Sequence, residues 1–149
     1  MKNERHTIKA HILVFLQMMS LLCLIITTKL QKINIYAVLM AIVSLIIALL
    51  AFYQMRKSVF SVSPIPNKKA QLLQKGIYGI IRHPMYTAVM LFALACLMQT
   101  FTYLRLAIIV ELFVVLCVKL LWEEKLLLQH FSAYQQYIKT TKRLIPFVW

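Results

Sequence analysis

The feature that most constrains this chain is a series of apolar runs, each close to twenty residues long. They are His11 to Thr28, Ile33 to Tyr53, Met85 to Tyr103 and Leu106 to Trp122. A bilayer's hydrocarbon core takes roughly 20 apolar residues per helix. Lipid leaves no water for unpaired backbone groups, so such runs fold as helices. The period-2 alternation of a transmembrane barrel is missing. The expected fold is all-α and integral to the membrane, with about four transmembrane helices in a single domain spanning 1–149. Residues 1–55 supply two N-terminal spans, and 56–149 hold the motifs. The basic start, Met1 to Lys9, followed by an apolar run resembles a secretory leader. The run is too long for one and no small-residue cleavage pattern follows it, so it reads as a retained first span.

The charge is lopsided: 17 Lys and Arg against four acids, a net +13. In a soluble chain that balance would point to nucleic acid. Here the basic residues fall between the apolar runs. With four spans, both termini and the 56–82 connection share one side. That side carries all the Lys and Arg except Lys29, Lys32 and Arg105 on the other, and Lys119 near the inner end of the fourth run. The excess predicts a multi-pass protein with its termini and long connection cytoplasmic. The basic side then faces anionic membrane lipids, and no nucleic-acid partner is required.

The longest polar connection, Arg56 to Lys75, contains Ser61-Val-Ser-Pro-Ile-Pro66, which reads as extended. After the fourth run, Leu127, Phe131, Tyr134 and Ile138 recur at helical spacing. They predict a C-terminal amphipathic helix, at the cytoplasmic membrane surface or packed back on the bundle. The end of the chain, Arg143 to Trp149, has aromatic residues suited to an interface. The three cysteines lie inside apolar runs and read as small buried hydrophobes. Neither they nor the four histidines show metal spacing, so no metal site is expected. A dinucleotide-binding domain is excluded, because no G-x-G-x-x-G follows a strand.

The chain has only two glycines, and both lie in Gly76-Ile-Tyr-Gly-Ile-Ile-Arg82-His83-Pro84-Met85-Tyr86. Pro84 suits the first turn of the third span, which puts His83 at the helix start, where free N–H groups can hold an anion. Gly76 and Gly79 allow close backbone approach to a ligand. An ordinary helix entry with a belt tyrosine explains the same residues. Glu123 and Glu124 follow the fourth run, and adjacent acids at a helix C-terminus oppose its dipole. They read either as a site for a cation or a diol, or as a solvated boundary paired with nearby bases. Glu111 lies within the fourth run, where an acid is costly. It could bind an amine, relay a proton or be paired within the bundle.

Together these segments resemble the integral-membrane methyltransferases, the superfamily of isoprenylcysteine carboxyl methyltransferases and phospholipid methyltransferases. The resemblance rests on Gly76-x-Tyr78-x-x-x-Arg82-His83-Pro84-x-Tyr86, then Glu123-Glu124-x-x-Leu127, Phe131, Tyr134, Tyr137 and Arg143-Leu-Ile-Pro146. It covers Lys68 to Trp149. Ala88 and Ser132 stand where the family often has glycine. The resemblance implies S-adenosylmethionine as cofactor in a cytosol-facing pocket. Gly76, Tyr78, Arg82, His83, Pro84, Tyr86, Glu123 and Glu124 would bind it, with Glu124 and Arg143 at the reaction end. It further implies a lipophilic or lipid-modified acceptor, with carboxyl O-methylation of the isoprenylcysteine type foremost and phospholipid N-methylation as the alternative. Outside enzymes, a small transporter coupled through Glu111 and a non-catalytic binder of anionic lipid fit the composition.

Overall fold

The computed structural model describes residues 2–29, 32–57, 72–146 and 148. Five helices follow one another: α1 (Lys2–Thr27), α2 (Ile35–Lys57), α3 (Pro84–Gln99), α4 (Tyr103–His130) and α5 (Tyr134–Thr140). A single tight turn, Gly76–Gly79, precedes α3. No strand occurs among the described residues, and the fold is all-helical. Ser61–Pro66, expected to be extended, lies outside the described residues, as do Phe147 and Trp149.

Local chemistry sets the helix boundaries. Asn34 Oδ1 accepts from the Tyr36 and Ala37 amides and caps α2. Pro84 occupies the first turn of α3, with His83 as the preceding cap residue, as the sequence predicts. The Thr102 hydroxyl caps α4 by accepting from the Arg105 amide. α4 does not stop at Trp122. It runs on through Glu123 and Glu124 to His130, so the adjacent acids lie inside a helix and not at its end. Phe131 then turns extended, at φ −121° and ψ 113°. The amphipathic face expected from Leu127 to Ile138 is therefore split between α4 and α5. Its residues still gather: Leu127, Tyr134 and Tyr137 form one buried cluster, with Phe131, Ile138 and Leu72 against it.

α2 packs along α3, and α1 along α4. The buried positions of α2 are Ala37, Ser44 and Ala51, a stripe of small side chains with a repeat of seven that lets a neighbouring backbone come close. The Ser44 hydroxyl donates to the Ala88 carbonyl of α3 at 2.8 Å. Leu24, Ala93, Leu112, Leu116 and Leu120 form the fully buried centre. Large apolar residues of α1 and α2 point outward, Phe15, Met18, Ile26, Leu45 and Leu49 among them. Two helical segments are long and apolar enough to cross a membrane, Ile8–Thr27 and Ile35–Arg56. α3 is apolar but has 16 residues. At 1.5 Å per residue it reaches about 24 Å, short of a hydrocarbon core of about 30 Å.

The bundle end bearing the α1–α2 and α3–α4 turns is sewn shut by polar side chains. Gln99 donates to the Lys29 and Lys32 carbonyls, and Asn34 donates to the Met98 carbonyl. Arg105, 1% exposed, donates to the carbonyls of Thr100 and Leu24 and to the Thr28 hydroxyl.

Candidate functional site

The opposite end of the bundle gathers most of the titratable motif residues. The segment before α3 runs beside the C-terminal segment in a short parallel bridge, Ile81 with Lys142. The Arg82 amide donates to the Lys142 carbonyl at 2.7 Å, and the His83 amide to the Arg143 carbonyl at 3.1 Å. Two pieces of chain sixty residues apart thus present their side chains to α4 together.

Glu124 is the hub of that meeting. Its Oε1 accepts from Arg82 Nε at 2.8 Å and its Oε2 from Arg143 Nε at 3.1 Å. Arg82 Nη1 also donates to the carbonyls of Thr141 and Ile138. His83 Nε2 stands 3.7 Å from Glu124 Oε1, an electrostatic contact longer than a hydrogen bond. Burial alone would raise the Glu124 carboxyl. The neighbouring His83 ring and Arg82 guanidinium outweigh it and hold the group down at about 2.

Glu123 faces elsewhere. Consecutive residues of a helix point about 100° apart, so when Glu124 turns to the arginines its neighbour does not. Glu123 Oε1 accepts from the Tyr86 hydroxyl at 2.6 Å. Its Oε2 lies 3.6 Å from His83 Nδ1. The His83 and Tyr86 rings stack with centroids 5.3 Å apart. Lys119, one turn before Glu123 on the same face of α4, sits 4.9 Å over the Tyr86 ring and donates to Gln17 Oε1 at 3.2 Å.

These groups wall a cavity of about 310 Å³, at the lower end of the roughly 300–1,000 Å³ typical of small-molecule sites. α1 contributes Val14, Gln17 and Met18, and α2 contributes Met55. Tyr78, Arg82, His83, Pro84 and Tyr86 form one wall, and Lys119 and Glu123 another. Leu127, Tyr134 and Tyr137 close it. Two buried polar atoms in these walls have no hydrogen-bond partner, His83 Nε2 and the Tyr134 hydroxyl. Buried polar groups are normally paired; both atoms belong to residues of the cavity lining but are themselves screened from solvent, and His83 Nε2 has the Glu124 carboxylate beside it. Burial also raises the Tyr134 and Tyr137 phenols and, with the Glu123 charge, pushes Tyr78 up to about 12.

Of the residues singled out by sequence, Tyr78, Arg82, His83, Pro84, Tyr86 and Glu123 line the cavity. Glu124 and Arg143 stand behind it as a paired clip. Gly76 is exposed and takes φ +62°, and the atom its missing Cβ would meet is Gln54 Nε2. The Gln54 side chain also accepts from the Ile77 amide. The close approach that Gly76 permits is thus to α2. Glu111 lies outside the cavity and accepts from the Ser20 hydroxyl of α1. Sequence reasoning missed Lys119 and Gln17 as site residues. For Lys119 a signal existed, its position four residues before Glu123. Nothing local marked Gln17.

Beside the cavity, a groove of about 500 Å³ runs between α1, α2 and α3. Its lining is apolar apart from Ser44, and it shares Met85 and Val89 with the cavity. The cavity, with titratable groups in a largely apolar lining, and the apolar groove are thus neighbouring spaces that share two residues of α3. The chain belongs to the phospholipid methyltransferase family, whose model matches residues 32–134. The match spans α2 to the start of α5, and with them most of the cavity. No curated protein matches the sequence. Family membership makes the chain a membrane-associated methyltransferase, with a lipid-type acceptor.

Proposed function

We propose that this protein transfers the methyl group of S-adenosylmethionine to a lipophilic acceptor at the cytoplasmic membrane surface, in a fold of four membrane crossings. The observation that carries the reading is a cavity walled by titratable motif residues lying beside an apolar groove, the two sharing Met85 and Val89. The short α3 is compatible with a crossing where the bilayer thins locally or the helix ends are met by interfacial side chains.

The residues present suit the cofactor. Its carboxylate, ammonium and ribose hydroxyls call for paired donors and acceptors in a confined space. His83, Arg82, Tyr78, Glu123 and Tyr134 in the cavity lining offer them. When bound, S-adenosylmethionine supplies an electrophilic methyl group on a sulfonium. The protein's own contribution is to orient the acceptor, exclude water and manage a proton. Glu124 and Arg143 hold the Arg82-His83 segment against the C-terminal segment, and so fix one wall.

Two acceptor chemistries compete. A carboxylate, as in an isoprenylcysteine, needs no base. A headgroup amine must lose a proton. The family match supports the amine, and so does Glu123, an acid in the cavity wall that would repel a carboxylate acceptor. In this reading Glu123 Oε2 takes the ammonium proton while the Tyr86 hydroxyl holds Oε1 in place. The test is transfer of a radiolabelled methyl group from the cofactor into a total lipid and peptide extract. Label in a base-stable headgroup amine supports this reading. Label released as methanol by mild base establishes carboxyl methylation instead, and no transfer with no cofactor binding removes the methyltransferase reading.

A further inference from the structure

Lys119 is the one feature of the cavity that the methyl-transfer reading leaves unused. Its side chain comes from the middle of α4 and is 8% exposed. The partners it has are Gln17 Oε1 and the face of Tyr86. Glu123, one turn away, is already engaged by the Tyr86 hydroxyl. An ammonium has three donors, and only one is spent here. A desolvated cation without an acid in contact is costly, and one amide oxygen and a ring face offset that cost only in part.

The position of the lysine says what would complete it. It faces the same cavity as His83 and Tyr134, but from the α1 side, beside the apolar Val14 and Met18. The groove that adjoins the cavity along Met85 and Val89 also has α1 for one wall, through Leu21. A molecule with its tail in the groove and its head in the cavity would bring an anionic group toward this wall. Its amine would then fall near Glu123, one helical turn from Lys119, a spacing of about 5–6 Å between Cβ atoms.

We infer that Lys119, held by Gln17, is the specificity-determining anchor for an anionic group on the lipophilic acceptor, a phosphodiester or a carboxylate. This rests on the methyl-transfer reading for its meaning but can be tested without turnover. Binding of a dialkyl phosphate, a fatty carboxylate and a neutral dialkylglycerol of equal chain length is measured by calorimetry in neutral detergent. Wild type, Lys119→Met and Lys119→Arg are compared, with matched helical circular dichroism as the folding control. Wild type should prefer the anionic ligands over the neutral one by about 10- to 100-fold, the range for a charge-assisted hydrogen bond. Lys119→Met should abolish the preference, and Lys119→Arg should keep most of it. The tighter of the two anions names the source. S-adenosylmethionine affinity is measured in all three proteins, to tell an acceptor anchor from a cofactor contact. Equal binding of neutral and anionic ligands by wild type overturns the inference. So does loss of cofactor affinity in Lys119→Met, which would assign the lysine to the cofactor. A wild type that binds dialkyl phosphate through Lys119 but transfers no methyl group leaves the anchor standing and removes the methyltransferase reading.

Discussion

Breaking the Arg82–Glu124 pair should destabilise the protein strongly, because both partners are buried. Their side chains are 6% and 7% exposed and meet at 2.8 Å. Removing one partner of a buried pair typically costs about 3–5 kcal/mol. In Arg82→Met, Arg143 remains on the other carboxylate oxygen, which places the expected loss near the lower end, about 3 kcal/mol. The depressed Glu124 carboxyl points the same way, although His83 shares in that depression with Arg82. Glu124 falls from 4.5 to about 2, which at 1.36 kcal/mol per pKa unit is on the order of 3 kcal/mol. A carboxyl depressed by folding stabilises above its unfolded pKa and loses that contribution as pH falls through the folded value. The stability should therefore be fully present above about pH 5 and decline toward pH 2. Unfolding in mixed micelles, followed by far-ultraviolet circular dichroism during denaturing-detergent titration, measures the effect for Arg82→Met, Glu124→Gln and the double variant. A coupling of about 2 kcal/mol or more is expected, together with a flatter acid limb in Glu124→Gln. Losses that add to within about 0.5 kcal/mol would refute the pairing. An unchanged acid limb would refute the depressed carboxyl.

Three further outcomes follow from single contacts. Tyr134→Phe removes a buried hydroxyl that has no protein partner, so stability should hold or rise slightly while S-adenosylmethionine affinity, read by calorimetry, falls several-fold. A parallel loss of stability would show that the hydroxyl is paired within the fold. Gly76→Ala forces a side chain into the left-handed region and against Gln54, at a cost of about 1–2 kcal/mol. Adding Gln54→Ala should recover only the steric part, and full recovery in a thermal melt would show that backbone strain is unimportant. Arg105→Met leaves the Thr100 carbonyl without its side-chain donor and takes one donor from the Leu24 carbonyl, which keeps the Thr28 hydroxyl, and should cost about 1–3 kcal/mol. Because Arg105 lies at the other end of the bundle, cofactor affinity should not move, and a change there would contradict the separation of the two ends.

The parts of this fold that sequence made legible are those set by local chemistry. Pro84 could only begin a helix, and the His83 cap followed from it. The apolar runs located four of the five helices among the described residues, because each is an uninterrupted apolar stretch of helical length. The break at Phe131 was not legible. Leu127, Phe131, Tyr134 and Ile138 keep helical spacing across it, and the same residues form one cluster whether the helix continues or turns back. The end of α4 was misread for a related reason. Loss of hydrophobicity at Glu123 marks where the surroundings change and not where the backbone stops being helical. Gln17 and Lys119 meet across α1 and α4, a hundred residues apart in sequence, and no local pattern announces such a pairing.

The adjacent acids show how one short motif can serve both architecture and chemistry. A helix turns neighbouring side chains about 100° apart, so the two glutamates flank His83 from different sides, Glu123 at Nδ1 and Glu124 at Nε2, and otherwise take different partners. Glu124 turns to Arg82 and Arg143, and His83 and Arg82 hold it ionised. Two arginines on one carboxylate leave the clip with surplus positive charge, close to the cavity wall built from the Arg82-His83 segment. Glu123 turns to the cavity, where Tyr86 fixes one of its oxygens. The pair thus separates a buried structural anion from an acid able to meet a ligand. Exchanging the two roles would require only a helical rotation of one residue, which the Arg82–Glu124 contact prevents. On this view the stability of the clip and the register of the cavity wall are one property. A variant that loosens Arg82 from Glu124 should lose S-adenosylmethionine affinity in step with stability, even though Glu124 itself does not line the cavity.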